Sequence, residues 1–270
     1  MKQKLIAIDL DGTTLNDQST LSKRTIQTLQ QLQKKGHHVM IATGRPYRNS
    51  KHIYQQLGLQ SPLVNFNGAL CHFPDQPSKK DLLHRTLDID LVMDLLAKQN
   101  QFGIDWISVE GKEALYSSHD SIPVNPFFPA HAVPTPITAN TTLAERPTAL
   151  NLFMDSEKQE PIRNQILSEY GSNVVSVRTW GGDMPCLEIV GAGIQKALGV
   201  EVVANYYQIA RHDILAFGDE DNDIEMIDYA GHGVVMKNGI DALKKIANDV
   251  TDFTNDEDGL AIYLENFFGI

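Results

Sequence analysis

Apolar residues arrive in short runs at both ends of the chain, and amphipathic stretches separate them. Leu5-Ile6-Ala7-Ile8, Val39-Met40-Ile41-Ala42 and Pro62 to Phe66 are each bounded by polar or turn residues. Such runs read as buried strands. Between the first two, Ile26, Leu29 and Leu32 recur on one face from Ser22 to Lys35, and Gly36 closes the stretch. That spacing predicts a helix with Ser22 as its N-cap. Tyr47 to Leu57 predicts the next helix, broken by Gly58 and Pro62. Strands alternating with helices predict a parallel sheet with right-handed crossovers. The rhythm returns late in the chain: a helix over 197–206, strands over 212–217 and 232–236, a helix over 240–247, and a closing helix to Phe268.

The middle of the chain obeys a different pattern. Asp88 to Gln99 predicts a helix with Leu91, Leu95 and Leu96 on one side. Ile104 to Val109 and Ala114 to Tyr116 flank Glu110-Gly111-Lys112 and predict a hairpin. Residues 121–147 hold six prolines and read as mostly irregular chain. A strand over 148–154, a helix over 157–169 and strands over 174–180 and 186–190 follow. The fold class expected is therefore α/β, a Rossmann-like parallel-sheet core over 1–82 and 187–270, with an α+β domain inserted over 83–186. The chain is expected to rejoin the core near Glu188. Trp106, Trp180 and Asp183 are candidates for lining a cavity of the insert, or simply for packing in it.

Composition narrows the function classes. The 270 residues carry a formal net charge of −11, which argues against an electrostatic nucleic-acid binder. Phosphorylated small molecules remain open, because local charge decides those. The two cysteines, Cys71 and Cys186, form no Cys-x-x-Cys pair, and a reduced, cytoplasmic setting is expected. The N-terminal apolar run is too short for a signal peptide, and no stretch approaches the ~20 apolar residues of a membrane helix. The nine histidines show no metal-ligand spacing, and His37-His38 reads as surface.

Chemistry concentrates where strands end. The first run stops at Asp9-Leu10-Asp11-Gly12-Thr13-Thr14. Two carboxylates two residues apart repel each other and call for a cation or a proton. Mg²⁺ is the hard, oxygen-loving candidate, and the end of a parallel strand is where open α/β sheets bind ligands. A calcium loop would need further alternating oxygen ligands and a late Glu, and here an apolar strand precedes instead. The second run stops at Thr43-Gly44-Arg45-Pro46, which puts a hydroxyl and backbone N–H groups where an anion docks. Asn67-Gly68-Ala69 ends the third and reads equally as a turn. Lys196 opens a helix, a position unfavourable to a cation unless an anion lies nearby. Five acids stand between Asp219 and Met226, again after a buried strand, where repulsion demands solvent, a helix N-terminus or a cation.

Taken in series, Asp-x-Asp-Gly-Thr at 9–13, Thr-Gly-Arg at 43–45, Lys196 and Gly-Asp-x-x-Asn-Asp at 218–223 resemble the haloacid dehalogenase superfamily in its Cof-like phosphatase branch. The resemblance covers both core segments and is weakest in the insert, which it identifies with a type II, IIB-like cap. It implies that Asp9 is a nucleophile forming an aspartyl-phosphate. Asp11 would protonate the leaving alcohol and then activate water. Thr43, Gly44, Arg45, Lys196 and Asn222 would contact phosphate, with Lys196 also paired to the nucleophile. Asp9, the Asp11 carbonyl and Asp219 would hold Mg²⁺, with Asp223 one helical turn on. Ala197 replaces a usual Gly, and Lys237 and Gly239 flank Asn238 where the branch has Gly-Asn-Ala; Asn255 to Gly259 follows the branch pattern. The implied partner is a small phosphorylated metabolite, a sugar phosphate first, with pyridoxal phosphate and flavin mononucleotide as alternatives, acted on by a monomer or homodimer. A phosphomutase and a non-enzymatic phospholigand sensor are the rival readings.

Overall fold

The computed structural model describes residues 2–76, 78–125 and 127–270. The chain begins β1 (Leu5–Ile8), α1 (Lys23–Lys34), β2 (His38–Ile41), α2 (Tyr47–Leu57), β3 (Leu63–Asn65), β4 (Leu70–His72) and β5 (Leu83–His84). It continues α3 (Ile89–Ala97), α4 (Gln99–Phe102), β6 (Trp106–Glu110), β7 (Leu115–Ser117), β8 (Thr135–Pro136), β9 (Ala149–Phe153), α5 (Ser156–Tyr170), β10 (Val175–Trp180) and β11 (Cys186–Gly191). It closes with α6 (Lys196–Tyr207), β12 (Ile214–Gly218), α7 (Ile224–Tyr229), β13 (His232–Val235), α8 (Asp241–Lys244), β14 (Asp249–Val250) and α9 (Gly259–Phe268). Two compact units result, one of residues 1–45, 50–83 and 195–270, the other of 46–49 and 84–194.

The first unit is built on a parallel sheet in the order β14-β13-β12-β1-β2. A parallel bridge from Ala42 to Val64 carries it on toward β3. All four residues of β1 are fully buried, as befits a strand covered on both faces. Ser22 caps α1 by accepting from the Thr25 N–H. Leu29 and Leu32 then bury completely, a gain of roughly 1.5–3 kcal/mol per side chain. The first crossover places β2 on one side of β1, and the later segment places β12 on the other. The strand order therefore reverses at β1, which puts the ends of β1, β2 and β12 side by side. His37 departs from the surface expectation: it is 5% exposed, lies tilted against Phe268 with ring centres 4.6 Å apart, and accepts from the Lys4 N–H at Nδ1.

The second unit holds a sheet in the order β10-β11-β9-β6-β7-β8, antiparallel except where β8 joins β7. That last strand lies inside the proline-rich stretch read as irregular. Leu91, Leu95, Ile162 and Ile166 from α3 and α5 share one core with Ile107, Leu152 and Leu187 from the sheet. Trp106 stacks on Phe153 at 3.7 Å and joins a second cluster with Phe128 and Trp180, so both tryptophans pack, while Asp183 is exposed. The expected boundary at 186 falls on the first residue of β11. That strand pairs along its length with β10 and through Ile189 with β9, so it stays in this unit, and the chain enters the first unit again at Gln195.

Candidate active site

Asp9 follows β1 without a break, and its N–H donates to the Phe217 carbonyl of β12 at 3.0 Å. The next five residues coil tightly, with Asp11 and Gly12 outside helical conformation. Gly12 has φ +70°, and a Cβ there would sit 2.1 Å from Asp219 Oδ2. Only glycine lets this bend approach the Asp219 carboxylate so closely. Thr13 Oγ1 donates to Asp219 Oδ1 at 2.7 Å, and Thr14 Oγ1 donates to the Asp9 carbonyl.

At the end of β12, Asp223 organises the turn. Its Oδ2 accepts from the backbone N–H groups of Asp219 and Glu220 at 3.0 and 3.2 Å. Its Oδ1 accepts from Lys196 Nζ at 2.8 Å, and the same ammonium donates to Asp9 Oδ1 at 2.6 Å. Lys196 is wholly buried at the first turn of α6. It reaches the carboxylates because Gly68, at φ +107°, lets the Gln195 carbonyl pass where a Cβ would stand.

Thr43 is buried beyond β2, and its hydroxyl oxygen accepts from the Arg45 N–H at 3.1 Å. Gly44 lies flat against the Asn67 amide, whose Oδ1 would be 3.1 Å from an added Cβ. Asn67 Oδ1 also accepts from Asn222 Nδ2 at 3.0 Å. Phe66 and Asn67 both hold positive φ, 50° and 53°. Asparagine tolerates that region; for phenylalanine it stores about 1–3 kcal/mol, a cost that clusters at functional sites.

One oxygen each from Asp9, Asp219 and Asp223 lie within 4.8 Å of one another, and all three residues are buried. Three carboxylates thus face one ammonium. Burial, joined by the crowd of Asp223, Asp219 and Asp11, pushes the Asp9 carboxyl well up against the pull of Lys196. Burial likewise raises Asp219 to about 7, with Asp223 adding to it. Burial opposes the charge on Lys196, yet Asp223 and Asp9 outweigh it and hold the ammonium protonated. Such a cluster binds a proton or a cation. Oxygen-only donors at a strand-end turn suit Mg²⁺. Among the described residues no hydrogen bond reaches Asp9 Oδ2 or Asp219 Oδ2, whereas both oxygens of Asp223 are engaged.

A sequence profile of haloacid dehalogenase-like hydrolases matches residues 6–264. The chain belongs to the haloacid dehalogenase-like hydrolases. It is 40% identical over 270 residues to the 5-amino-6-(5-phospho-D-ribitylamino)uracil phosphatase YitU of Bacillus subtilis, covering 100% of this chain and 99% of that one. It is 31% identical to a second B. subtilis phosphatase of the same name, YcsE, over 96% of this chain and 93% of the other. The crystal structure of a haloacid dehalogenase-like hydrolase of Bacteroides thetaiotaomicron matches with a TM-score of 0.85 at 26% identity, over 99% and 100% of the two chains. With relatives over its whole length named as phosphatases, it is a phosphatase of this family.

In this hydrolase Asp9, Lys196, Asp219 and Asp223 stand together, and Thr43, Gly44 and Asn222 lie on the neighbouring turns. Asp11 and Arg45 pair with each other: Arg45 Nε donates to Asp11 Oδ2 at 2.8 Å and Nη2 to Oδ1 at 2.5 Å, with the Asp11 side chain 57% exposed. Asn67 and Thr13 join the site as well, Thr13 through its bond to Asp219 and Asn67 through its bond from Asn222. The signal for Asn67 was an Asn-Gly pair at a strand end, which an ordinary turn also produces.

Proposed function

We propose that this phosphatase hydrolyses small phosphomonoesters through an aspartyl-phosphate on Asp9. The buried trio of carboxylates facing a single ammonium carries the reading. Asp9 Oδ2 attacks phosphorus and the bond to the leaving oxygen breaks. Asp11 gives that oxygen its proton, then takes a proton from the water that attacks the acyl phosphate. The Asp9–phosphorus bond breaks in this second step, and inorganic phosphate leaves. Lys196 holds Asp9 and faces the transferring group, and the Thr43 hydroxyl still has its hydrogen to donate. Arg45 covers both oxygens of Asp11, so proton transfer requires the fork to yield one, and phosphoryl oxygens are the acceptor that competes for it.

Asp9, the Asp11 carbonyl and Asp219 would hold Mg²⁺; Asp223 would support the site through Lys196 and the Asp219 N–H. The ion would supply charge that offsets the carboxylates and the phosphoryl dianion. The substrate class proposed is a phosphorylated polyol or sugar. The 40% identical relative, named for a phosphoribitylamino-pyrimidine, supports the polyol. The test is phosphate release from that compound, flavin mononucleotide, pyridoxal phosphate, glucose 6-phosphate and p-nitrophenyl phosphate, each with Mg²⁺ or with chelator. A preference for the ribityl esters that needs Mg²⁺ is expected. Isomerised ester without free phosphate would move the assignment to a mutase, and binding without turnover to a sensor.

A further inference from the structure

Two segments outside the reacting groups end on the bend that carries Asp11. In the turn after β13, Asn238 Nδ2 donates to the Gly12 carbonyl at 2.8 Å. Its Oδ1 accepts from the Asn255 N–H at 3.0 Å. Asn255 Nδ2 donates in turn to the Leu15 carbonyl at 3.0 Å and to Asp17 Oδ1 at 3.1 Å. The same turn grips the other side of the site, since the Ile240 N–H donates to the Asp219 carbonyl at 2.9 Å. Gly239 is pressed between, with an added Cβ 3.2 Å from Asp219 Cα. One short turn is therefore bonded to the Gly12 bend at one end and to Asp219 at the other.

We propose that Asn238 and Asn255 are positioning residues, a pair of amides that fixes the Gly12 bend at a set spacing from Asp219 and so preforms the cation site. The proposal rests on the Mg²⁺ reading above. The Gly12 and Asp11 carbonyls belong to the two peptide planes that meet at Gly12, and glycine leaves those planes free to turn, so the Asn238 bond restrains the bend on which the Asp11 carbonyl sits. Gly12, at φ +70°, has no side chain to hold it there, and the bend needs outside partners. Both amides border a polar hollow of about 320 Å³ that Asp11 also lines. Water can replace the Asn238 amide there, which satisfies the carbonyl but does not aim it.

The test uses the full chain and Mg²⁺ alone as probe. Wild type, Asn238→Ala, Asn238→Asp and Asn255→Ala are compared by calorimetric Mg²⁺ titration and by melting without metal. Asn238→Asp keeps the acceptor for Asn255 and loses the donor to Gly12. Loss of a partner that orients a ligand typically costs 10–100-fold in metal affinity, and about tenfold is expected for both Asn238 variants. Asn255→Ala, which leaves the Gly12 bond in place, is expected to lose less. Melting without metal is expected to stay near wild type. Wild-type Mg²⁺ affinity in Asn238→Ala, or a loss of affinity that merely tracks falling stability, overturns the proposal. Should Asn238→Ala not fold, wild-type affinity in Asn238→Asp, which lacks the donor to Gly12, overturns it equally. A wild-type chain that binds no Mg²⁺ brings down the metal reading itself, whereas a wild type that binds alongside variants that bind as well brings down only the positioning role.

Discussion

Replacing Gly68 with alanine tests whether Lys196 is placed by backbone contact two elements away. A methyl group on Gly68 would stand 2.3 Å from the Gln195 carbonyl oxygen and 3.0 Å from its carbon. Real Cβ atoms essentially never come within 3.0 Å of a non-bonded heavy atom elsewhere in the chain, so the oxygen must retreat by at least the 0.7 Å between 2.3 and 3.0 Å. Gln195 adjoins Lys196, whose Nζ lies 2.6 and 2.8 Å from two carboxylates. Misplacement of about 1 Å near reacting groups costs on the order of 100-fold in rate. Gly68→Ala is thus expected to lower kcat by roughly 30- to 100-fold. The positive φ adds about 1–3 kcal/mol of strain. Gly36→Ala separates the two effects, because φ there is +89° and nothing lies within 4 Å of the added carbon. It should destabilise through strain and leave kcat alone. Activity on p-nitrophenyl phosphate and urea unfolding of both variants are the assays. A folded Gly68→Ala with wild-type kcat would refute the reasoning.

Lys196→Met leaves Asp9 and Asp223 buried without their cation; a loss of about 3–5 kcal/mol is expected by urea unfolding, with kcat collapsing alongside. Asp219, raised to about 7, keeps in the metal-free fold a proton that the unfolded chain releases near the ordinary aspartate value of 3.8. Its contribution to stability is therefore fully present below about pH 4 and is lost as pH rises through 7. Calorimetry should show wild type losing stability relative to Asp219→Asn over that window, and Mg²⁺ stabilising more at pH 8 than at pH 5.5; the opposite slope would contradict the buried-carboxyl assignment. Ser22→Ala removes the α1 cap and should cost about 1 kcal/mol without touching kcat.

The parallel sheet was legible because β1, β2 and β12 are apolar runs that stop at polar residues, and burial on both faces leaves that mark. Asp9 and Asp219 were legible because each follows such a run directly, where a carboxylate taken out of water must be paired or bound to a cation. The Asp11–Arg45 fork was not, since its partners stand 34 residues apart and no local pattern encodes a pairing. Asn67-Gly68 at a strand end fits an ordinary turn as well as a site, and the link from Asn67 to Asn222 spans 155 residues, which no local pattern announces. The insert was hardest. β8 sits among prolines, and β11 belongs to the second sheet through pairing with β10 and β9, which composition at residues 186–191 does not announce. His37 looked exposed by type and is buried because α9 covers it through Phe268.

The central claim is that phosphorus becomes bonded to Asp9. Mixing the full chain and Mg²⁺ with excess phosphorus-labelled ester, quenching in acid within one turnover and mapping the label by peptide tests it most directly. The label is expected on the peptide that contains Asp9, and absent from Asp9→Asn along with phosphate release. Label on another residue, or undiminished phosphate release by Asp9→Asn, would contradict the account.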